Sequence, residues 1–410
     1  MTLEVRTIQE PEVNEWLAAK GRGFLFFYSN LQEEALTRRP WMDLRRTYAG
    51  FDGERIVSTL RSFPTTLTLP GGATPPASSV TAVTTTATHR RRGLATKMVT
   101  QDLRDSVERG ERAAVLIAAE WGIYGRFGYG PATEHQTLTL DTRGTRLRLI
   151  PSGTVEYVDA SEARALVPGI FDAHRRYQPG ELTWDDSDWD YEHGLVRLAG
   201  VDDAPSFHVI ARNEGGQPVG FARYRYQENW DRRQAAGSMT VKSLIGIDVN
   251  AQALLWQHLI DHDLTASAVV EDRSPADPLP LLLEDPRQVV ASGRADFLWV
   301  RPLNTAALLA ARTYAVAGSL VIDVVDPLGI TNGRFLLEGG PDGATCSSSK
   351  AMADITMPVS TLGSLSLGGS RVRGRVLATV GLMDEHVAGT VDRLDLMFGS
   401  SVEPWSSRWF

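Results

Sequence analysis

The chain has little cysteine, no long apolar stretch and no excess of positive charge. Its 410 residues include one cysteine, Cys346, which rules out an internal disulfide framework and a cysteine-rich metal site. We expect Cys346 to pack in a core and no metal to be bound. No segment approaches the length of a membrane span, and acidic residues stand in the first ten positions where a signal peptide would carry its apolar region. These absences predict a cytoplasmic protein without membrane contacts.

The net charge is −8, with 42 Lys and Arg residues against 50 Asp and Glu residues. A general nucleic-acid binder needs a sustained basic surface, so this balance argues against nucleic acid and favours cationic ligands. An apolar fraction of 42% and a charged fraction of 22% are typical of a globular protein. The length exceeds one ordinary core and indicates two or three domains.

The most informative stretch runs from Val80 to Thr96. A β-prone segment there meets a turn of three arginines and Gly93, and a helix follows, because its apolar residues recur at helical spacing (Leu94, Met98, Val99, Leu103 and Val107). The first N–H groups of a helix have no intrahelical partner and carry the positive end of its dipole. Arg91 to Thr96 could therefore hold a diphosphate, with Gly93 allowing close approach of the backbone. The alternative is a solvated basic loop or a nucleic-acid patch, which the order of strand, turn and helix disfavours.

These residues resemble a known family. Arg90-x-x-Gly93-x-Ala95 resembles the motif with which GNAT acetyltransferases bind the pyrophosphate of acetyl-coenzyme A. Together with Val80 to Val83, Thr88-His89-Arg90 and the segment Tyr124 to Gly130, it resembles the Eis (enhanced intracellular survival) family, as do the length and the terminal Phe410. The resemblance implies an α/β (α+β) fold, with tandem GNAT acetyltransferase folds followed by a sterol-carrier-protein-like α+β domain. It also implies acetyl-coenzyme A as co-substrate and a homohexamer.

Three blocks are expected along the chain: a catalytic acetyltransferase domain at 1–150, a second at 151–294 and the sterol-carrier-protein-like domain at 295–410. In the first block we expect a strand from Arg55 to Leu69 and another from Arg112 to Ala119, on either side of the motif strand and helix. An apolar run, Phe24 to Tyr28, precedes them.

The second block repeats the character of the first. Gly216 to Tyr226 repeats the strand near Gly53 to Phe63, Ser238 to Val249 repeats the motif strand, and Ala251 to Ile260 repeats the helix. The arginines and the glycine are missing from the echo, and Asp248 stands where a diphosphate would bind. A carboxylate there would repel the cofactor. We therefore expect a degenerate acetyltransferase fold that serves as structure or as one wall of a substrate cleft.

The aspartate-rich segment Trp184 to Tyr191 leaves two possibilities open, a cationic-substrate pocket or a solvated acidic loop. The third block begins with a predicted strand at Phe297 to Val300 and a helix at Asn304 to Ala315. Short strands are expected to follow at Ser319 to Val325, Gly333 to Glu338 and Ala351 to Ile355, with a late helix near Val372 to Thr379 or Thr390 to Phe398.

Acetyl transfer to an amine needs a proton acceptor for the amine and an acid for the departing thiolate. The pKa of a tyrosine, about 10, lies above that of a thiol, so the phenol is protonated when the thiolate forms. The resemblance implies that Tyr124 is this donor; the alternative is that Tyr124 and Tyr129 both line the pocket wall. Tyr129 is expected to be structural.

The base is harder to find, because His89 lies in the phosphate turn and His135 lies on the next strand. The resemblance implies the C-terminal carboxylate of Phe410 as base. Three aromatic residues in the last six predict a buried tail, and we expect it to insert into the cleft of the first domain. An α-carboxylate with a pKa of about 3.5 is a weak base in water, so it would act through partial burial, a bridging water or an amine of lowered pKa.

The coenzyme contacts implied by the resemblance fall into three groups. Backbone groups of Val83, Thr84 and Thr85 would pair with the pantetheine arm like an added strand. The turn residues Arg91, Arg92, Gly93, Leu94, Ala95 and Thr96 would take the diphosphate, and Ala119 and Glu120 would flank the acetyl group. No motif assigns the acceptor contacts; Glu33, Glu34 and Glu403 are acidic candidates.

The expected function is therefore acetyl-coenzyme A-dependent N-acetylation of a cationic small molecule of aminoglycoside or polyamine type. Acetylation of protein lysines is an alternative within the enzyme class. A non-catalytic ligand-binding scaffold, or a lipid carrier in the last domain, is an alternative outside it. The intact turn from Arg90 to Ala95 argues against the scaffold, since its counterpart in the second block has lost these residues.

Overall fold

The computed structural model describes residues 3–198, 205–370 and 373–410. The first part of the chain, 3–131, alternates strands and helices in the order β1 Leu3–Thr7, α1 Val13–Gly23, α2 Leu31–Arg38, β2 Thr47–Asp52, β3 Arg55–Thr66, β4 Pro76–Thr85, α3 Leu94–Glu108, β5 Ala113–Ile117, α4 Trp121–Tyr124 and β6 Gly130–Pro131. Short 3₁₀ helices lie at Glu10–Glu12, Arg39–Trp41, Leu44–Arg46, Ala87–His89 and Gly125–Phe127. The run Phe24 to Tyr28 lies between α1 and α2, and its Leu25 and Phe27 are exposed.

The second part, 134–296, repeats this alternation: β7 Glu134–Asp141, β8 Thr154–Val158, α5 Ala160–Arg175, α6 Asp186–Glu192, β9 Phe207–Arg212, β10 Pro218–Gln227, β11 Trp230–Asp231, β12 Gln234–Ala235, β13 Gly237–Gly246, α7 Val249–Ile260, β14 Thr265–Arg273, α8 Leu279–Leu282 and β15 Val289–Asp296. A 3₁₀ helix lies at Pro286–Gln288. The predicted strand at Ser238 to Val249 ends at Gly246, because Asp248 caps α7 by accepting a hydrogen bond from the Ala251 amide at 2.8 Å.

The last part begins with β16 Leu298–Pro302 and continues with α9 Thr305–Ala310, β17 Gly318–Val325, β18 Gly333–Gly340, β19 Gly343–Ser348, β20 Ile355–Pro358, α10 Val359–Leu365, α11 Gly374–Thr379, β21 Asp384–Glu385 and α12 Thr390–Phe398. Helix α9 is shorter than predicted. Both alternative late helices are present. The predicted strand Ala351 to Ile355 is wrong, since strand β20 begins only at Ile355.

Two seven-stranded sheets and a five-stranded sheet organise these elements. The first sheet has the order β1-β2-β3-β4-β5-β16-β6, the second β15-β7-β14-β13-β10-β9-β8 and the third β19-β18-β17-β20-β21. The strand pairing departs from the expected boundaries at residues 150 and 294. Strand β7 pairs with β14 in the second sheet, and β16 returns to pair with β5 in the first. The physical reason is that β5 would otherwise leave a strand edge unpaired.

Each sheet buries helices against its faces. The first sheet packs α1 and α2 on one face, in a cluster that includes Trp16 and Ala82, and α3 on the other, in a cluster that includes Val80 and Met98. Val107 at the end of α3 is exposed, so the predicted apolar stripe stops at Leu103. Cys346 packs against the core of the third domain, as expected, and burial raises the pKa of its thiol to about 11. None of the described helices is long and apolar enough to cross a membrane.

A buried ion pair joins the first sheet to the third domain. The Arg301 guanidinium on β16 donates to both carboxylate oxygens of Asp326 at 2.9 and 2.8 Å and to the Phe127 carbonyl at 2.8 Å. Neither charged side chain has any exposed surface. Such a pair is costly to break because the remaining charge has no partner.

We expect Asp326→Ala to lower the free energy of unfolding by about 3 to 5 kcal/mol, since it leaves the buried Arg301 guanidinium without its carboxylate partner. The matched control is Asp323→Ala, whose carboxylate pairs with Arg334 at 3.3 Å near the surface and should contribute about 1 kcal/mol or less. Urea unfolding followed by circular dichroism measures both. Equal losses in the two variants would contradict the assignment.

Candidate active site

The central strands of the first sheet separate where the motif strand approaches the turn. Strands β4 and β5 pair in parallel only at Ala77 with Ala113, Ser78 with Ala114 and Ser79 with Val115. Beyond that point β4 continues to Thr85 with no partner on this side in the part of the chain that the structure describes, while β5 pairs with β16 along its whole length. On its other side β4 is held by β3, since the Thr59 hydroxyl donates to the Ala82 carbonyl at 2.8 Å. An extended ligand can therefore pair with the free edge of β4.

The turn after β4 exposes the start of α3. Arg91 and Gly93 both adopt positive φ, +62° and +79°, which orients the chain so that the helix begins at Leu94. No side chain caps this helix, and its first turn has no acidic residue. Arg91, Arg92 and Thr96 are exposed around the uncapped N–H groups. These features suit an anion such as a diphosphate.

His89 holds the turn in place. Its Nε2 lies 3.1 Å from an oxygen of Asp52 on β2, and its Nδ1 lies 2.8 Å from the Thr88 hydroxyl. His135 interacts with Asp272 on β14 of the second sheet. Both histidines therefore have partners within the protein.

Tyr124 lies at the end of α4, just after β5. It is buried in the same apolar cluster as Val80 and Met98, and its ring makes an edge contact with Tyr129 at 6.0 Å between centroids. Burial and the nearby Glu120 raise the pKa of Tyr124 to about 12, so its phenol stays protonated at neutral pH. Ala119 and Glu120 are exposed between β5 and α4. The Tyr129 hydroxyl is buried without a hydrogen-bond partner among the described residues.

The C-terminal tail is threaded along the second domain. Its backbone amides donate from Trp405 to the Pro179 carbonyl at 2.9 Å and from Ser407 to a Glu181 oxygen at 3.0 Å. The buried Arg408 donates to the Thr183 carbonyl and pairs with Asp188. Trp405 is buried as well, whereas Trp409 is exposed. The tail is thus fixed over most of its length, as its aromatic residues predicted.

The tail ends in a cleft beside β4. The Phe410 ring makes an edge contact with Phe63 on β3, with 5.5 Å between centroids. Phe410 lines a cleft of about 230 Å³ together with Thr81 and Ala82 of the motif strand. The α-carboxylate makes no ion pair or hydrogen bond within the described ranges. The structure therefore brings the terminal residue to the strand whose far edge is free.

The rest of the cleft wall was predicted only in part, since the acidic segment Trp184 to Tyr191 was one candidate pocket lining. It includes aromatic side chains, four cations and two aspartates: Trp16, Trp41, Tyr191, Lys20, Arg38, Arg61, Arg408, Asp185 and Asp188. Asp185, Asp188 and Tyr191 come from the acidic segment, which therefore lines a pocket from helix α6. Of the acidic candidates, Glu34 pairs with Arg38 and Glu403 accepts from the Ser370 amide, and neither lines the cleft; nor does Glu33. No motif could identify Lys20 or Arg61, because they lie 41 residues apart in sequence.

The corresponding opening of the second sheet is closed. Strands β13 and β14 pair in parallel up to Val241 and Val270 and then diverge around a cavity of about 160 Å³. Arg273 from β14 crosses this gap and donates to the Leu244 carbonyl of β13 at 2.6 Å. The indole of Trp405 from the tail donates to the Asp272 carbonyl at 2.6 Å. A ligand cannot pair with this strand edge while these side chains occupy it.

The comparisons with known proteins agree with the fold. Residues 4–132 and 180–302 each match an acetyltransferase (GNAT) domain, and residues 305–407 match a sterol carrier protein domain. The chain is therefore an N-acetyltransferase of the GNAT class with two GNAT domains and a sterol-carrier-protein-like domain. The GNAT fold implies acetyl-coenzyme A as co-substrate, which fits the free edge of β4 and the uncapped α3.

Full-length relatives narrow this class. An uncharacterized N-acetyltransferase of Streptomyces avermitilis is 38% identical over 100% of this chain and 99% of its own. The N-acetyltransferase Eis of Mycobacterium bovis is 34% identical over 85% of each chain. The crystal structure of Eis1 from Mycobacterium abscessus superposes with a TM-score of 0.86 at 28% identity, over 99% of this chain and 100% of that one. The chain belongs to the Eis family of N-acetyltransferases.

Glu181 is a buried carboxylate on which the tail depends. It has no exposed surface, and burial raises its pKa to about 7. His174 faces it, with its Nε2 3.8 Å from a Glu181 oxygen, and burial lowers the pKa of that histidine to about 4. Both side chains are therefore neutral in the folded protein between about pH 4 and about pH 7.

The raised pKa of Glu181 predicts a pH-dependent stability. An unfolded glutamate loses its proton near its ordinary pKa of about 4.5, whereas the folded one keeps it to about 7. The stabilisation from the bound proton is therefore complete below about pH 4.5 and is lost as pH rises towards 7. Glu181→Gln cannot titrate, so the melting temperature of the wild type should fall relative to this variant between about pH 5 and about pH 8. His174 titrates in both proteins and cancels from the difference; parallel curves would contradict the prediction.

Proposed function

We propose that this N-acetyltransferase uses acetyl-coenzyme A to acetylate the primary amine of a small molecule bound in the cleft at the C-terminus. The observation that carries the proposal is the meeting of the terminal residue, Phe410, with Thr81 and Ala82 of β4 in one cleft. The free edge of the same strand offers backbone groups to the pantetheine arm at Val83, Thr84 and Thr85. Acceptor and thioester would thus approach one strand from two sides.

We assign the diphosphate to the turn at the start of α3. Backbone N–H groups of Gly93, Leu94 and Ala95 have no side-chain cap to compete with an anion. Arg91 and Arg92 add exposed charge, and Thr96 adds a hydroxyl. Ala119 and Glu120 would flank the acetyl group beyond the end of β5.

The proton transfers are divided between two groups in this proposal. Acetyl-coenzyme A supplies the thioester, whose acetyl group passes to the amine nitrogen as the carbon–sulfur bond breaks. The Phe410 carboxylate accepts the proton that the amine loses, directly or through water. The Tyr124 phenol, whose pKa of about 12 keeps it protonated at neutral pH, donates to the departing thiolate.

Three finer points remain predictions. The aminoglycoside- or polyamine-like acceptor rests on the net charge and on the family resemblance, and protein lysine is the alternative acceptor. Assembly as a homohexamer and a cytoplasmic location rest on the resemblance and on the composition. The first sheet keeps an open strand edge, whereas Arg273 and Trp405 close the corresponding edge of the second sheet. This difference disfavours the scaffold alternative.

Tyr124→Phe should lower kcat by about a hundredfold, since general-acid catalysis contributes on that order, and should leave the affinity for acetyl-coenzyme A unchanged. Tyr129→Phe is the matched control, because it removes a neighbouring hydroxyl that has no described partner. Thiol release followed with a chromogenic reagent measures both. An unchanged rate in Tyr124→Phe, or an equal loss in Tyr129→Phe, would exclude Tyr124 as the acid.

Adding one glycine after Phe410 should cripple turnover with every amine, because the carboxylate moves by one residue, about 3.5 Å of chain. Thiol release is measured with an aminoglycoside, a polyamine and a lysine peptide, for the native and the extended chain. Release that needs both an amine and the native terminus supports the proposal. A fully active extended chain would show that the carboxylate is not the base, and no release with any amine would favour the scaffold.

A further inference from the structure

The cleft that Phe410 lines is the proposed binding site of the amine and is called the acceptor cleft below. Its charges are not those expected for a polycationic ligand. Four cationic side chains line it, Lys20, Arg38, Arg61 and Arg408, against two aspartates and the terminal carboxylate. An aminoglycoside or polyamine would bring several ammonium groups beside these cations, and like charges in a partly desolvated cleft oppose binding.

Three of the lining charges are paired within the protein. Arg408 pairs with Asp188, and Arg38 pairs with the buried Glu34 of its own helix. The Asp185 carboxylate caps α6 by accepting from the Asp188 amide at 3.0 Å. These contacts hold the walls of the cleft.

Two cations are left over. Within the described ranges, the side chains of Lys20 and Arg61 neither donate a hydrogen bond nor lie within ion-pair distance of a carboxylate. Their nearest recorded partners are aromatic rings, Phe26 at 5.9 Å from the lysine nitrogen and Phe63 at 5.5 Å from the guanidinium carbon. Both side chains are partly buried, and the Arg61 Nε atom is fully buried without a partner.

The pKa values of Lys20 and Arg61 are consistent with cations that have no anionic partner. Burial, together with repulsion from Arg38, lowers the pKa of Lys20 to about 8 and that of Arg61 to about 10. Asp185 and Asp188 attract Arg61 from a distance but do not compensate for its burial. Unpaired buried cations are costly, and a bound anion would relieve that cost.

We propose that the natural acceptor is an amine that also carries an anionic group, such as a carboxylate, on an apolar or aromatic body, and that Lys20 and Arg61 bind that anion. The cleft then matches its ligand at both ends, with the amine towards the Phe410 carboxylate and the anion towards the two cations. Trp16, Trp41, Phe63 and Tyr191 supply aromatic walls for the body of the molecule. This inference rests on the proposed acetyl transfer and specifies its acceptor.

Matched acceptors test the proposal in the full-length protein. Phenylalanine is compared with phenethylamine, and 4-(aminomethyl)benzoate with benzylamine, so that each pair differs only in a carboxylate; kanamycin is the polycation. We expect kcat/KM to be about tenfold or more higher for the carboxylate-bearing member of at least one pair, since a charged hydrogen bond contributes on that scale. Arg61→Gln and, independently, Lys20→Gln should abolish this preference, whereas Arg61→Lys should retain most of it.

The other outcomes are distinguishable. If the simple amines or kanamycin are preferred and Arg61→Gln leaves the ratios unchanged, the anion site is refuted while acetyl transfer stands. If no amine is acetylated, the proposed function fails, and calorimetric binding of 3-phenylpropionate and 4-methylbenzoate decides the anion site alone. Binding to the wild type that is lost in Arg61→Gln supports the site, and absence of binding to the wild type overturns it.

Discussion

The return of β16 to the first sheet is the constraint on which the rest of the structure depends. The chain leaves this sheet after β6, builds the whole second sheet from β7 to β15, and comes back to place β16 between β5 and β6. Strand β5 is then paired along its full length with β16, while it meets β4 over only three residue pairs. The edge of β4 can stay open without leaving β5 unsupported. Strand β16 also carries Arg301, whose ion pair with Asp326 ties the first sheet to the third domain.

That interleaving also gives the C-terminal tail a fixed path. The loop between α5 and α6 crosses from one sheet to the other, since the Thr68 amide donates to the Glu181 carbonyl and the Gly180 amide donates to the Thr68 carbonyl, both at 2.9 Å. The tail follows this loop through Glu181, Thr183 and Asp188 to the cleft. A terminal carboxylate can take part in chemistry only if the chain before it is immobilised, because free termini fray. Here buried polar contacts supply that immobilisation.

The two GNAT units differ at their strand edges and at the starts of their helices. The first keeps a free strand edge and an uncapped helix. In the second, Asp248 caps the equivalent helix, Arg273 bridges the diverging strands and Trp405 fills the gap. The second unit thus lacks these open features and supplies contacts that hold the tail. Its helix α6 at the same time forms a wall of the acceptor cleft through Asp185, Asp188 and Tyr191.

The amino-acid sequence by itself determined the parts that depend on local order. The motif strand, the glycine turn and α3 follow each other within residues 76–108, so spacing and turn chemistry predict them. The capping role of Asp248 is equally local. The aromatic tail was predictable as buried, because exposed aromatic clusters are rare. Only the tertiary structure decided which strands share a sheet, because β16 pairs with a strand about 180 residues earlier in the chain. It also decided the charge of the acceptor cleft: Lys20, Arg61 and Arg408 meet there from distant elements, and pairing within the protein leaves just two of the cations free among the described residues. Net composition is acidic, yet the site is not, since local electrostatics depends on which charges are paired after folding.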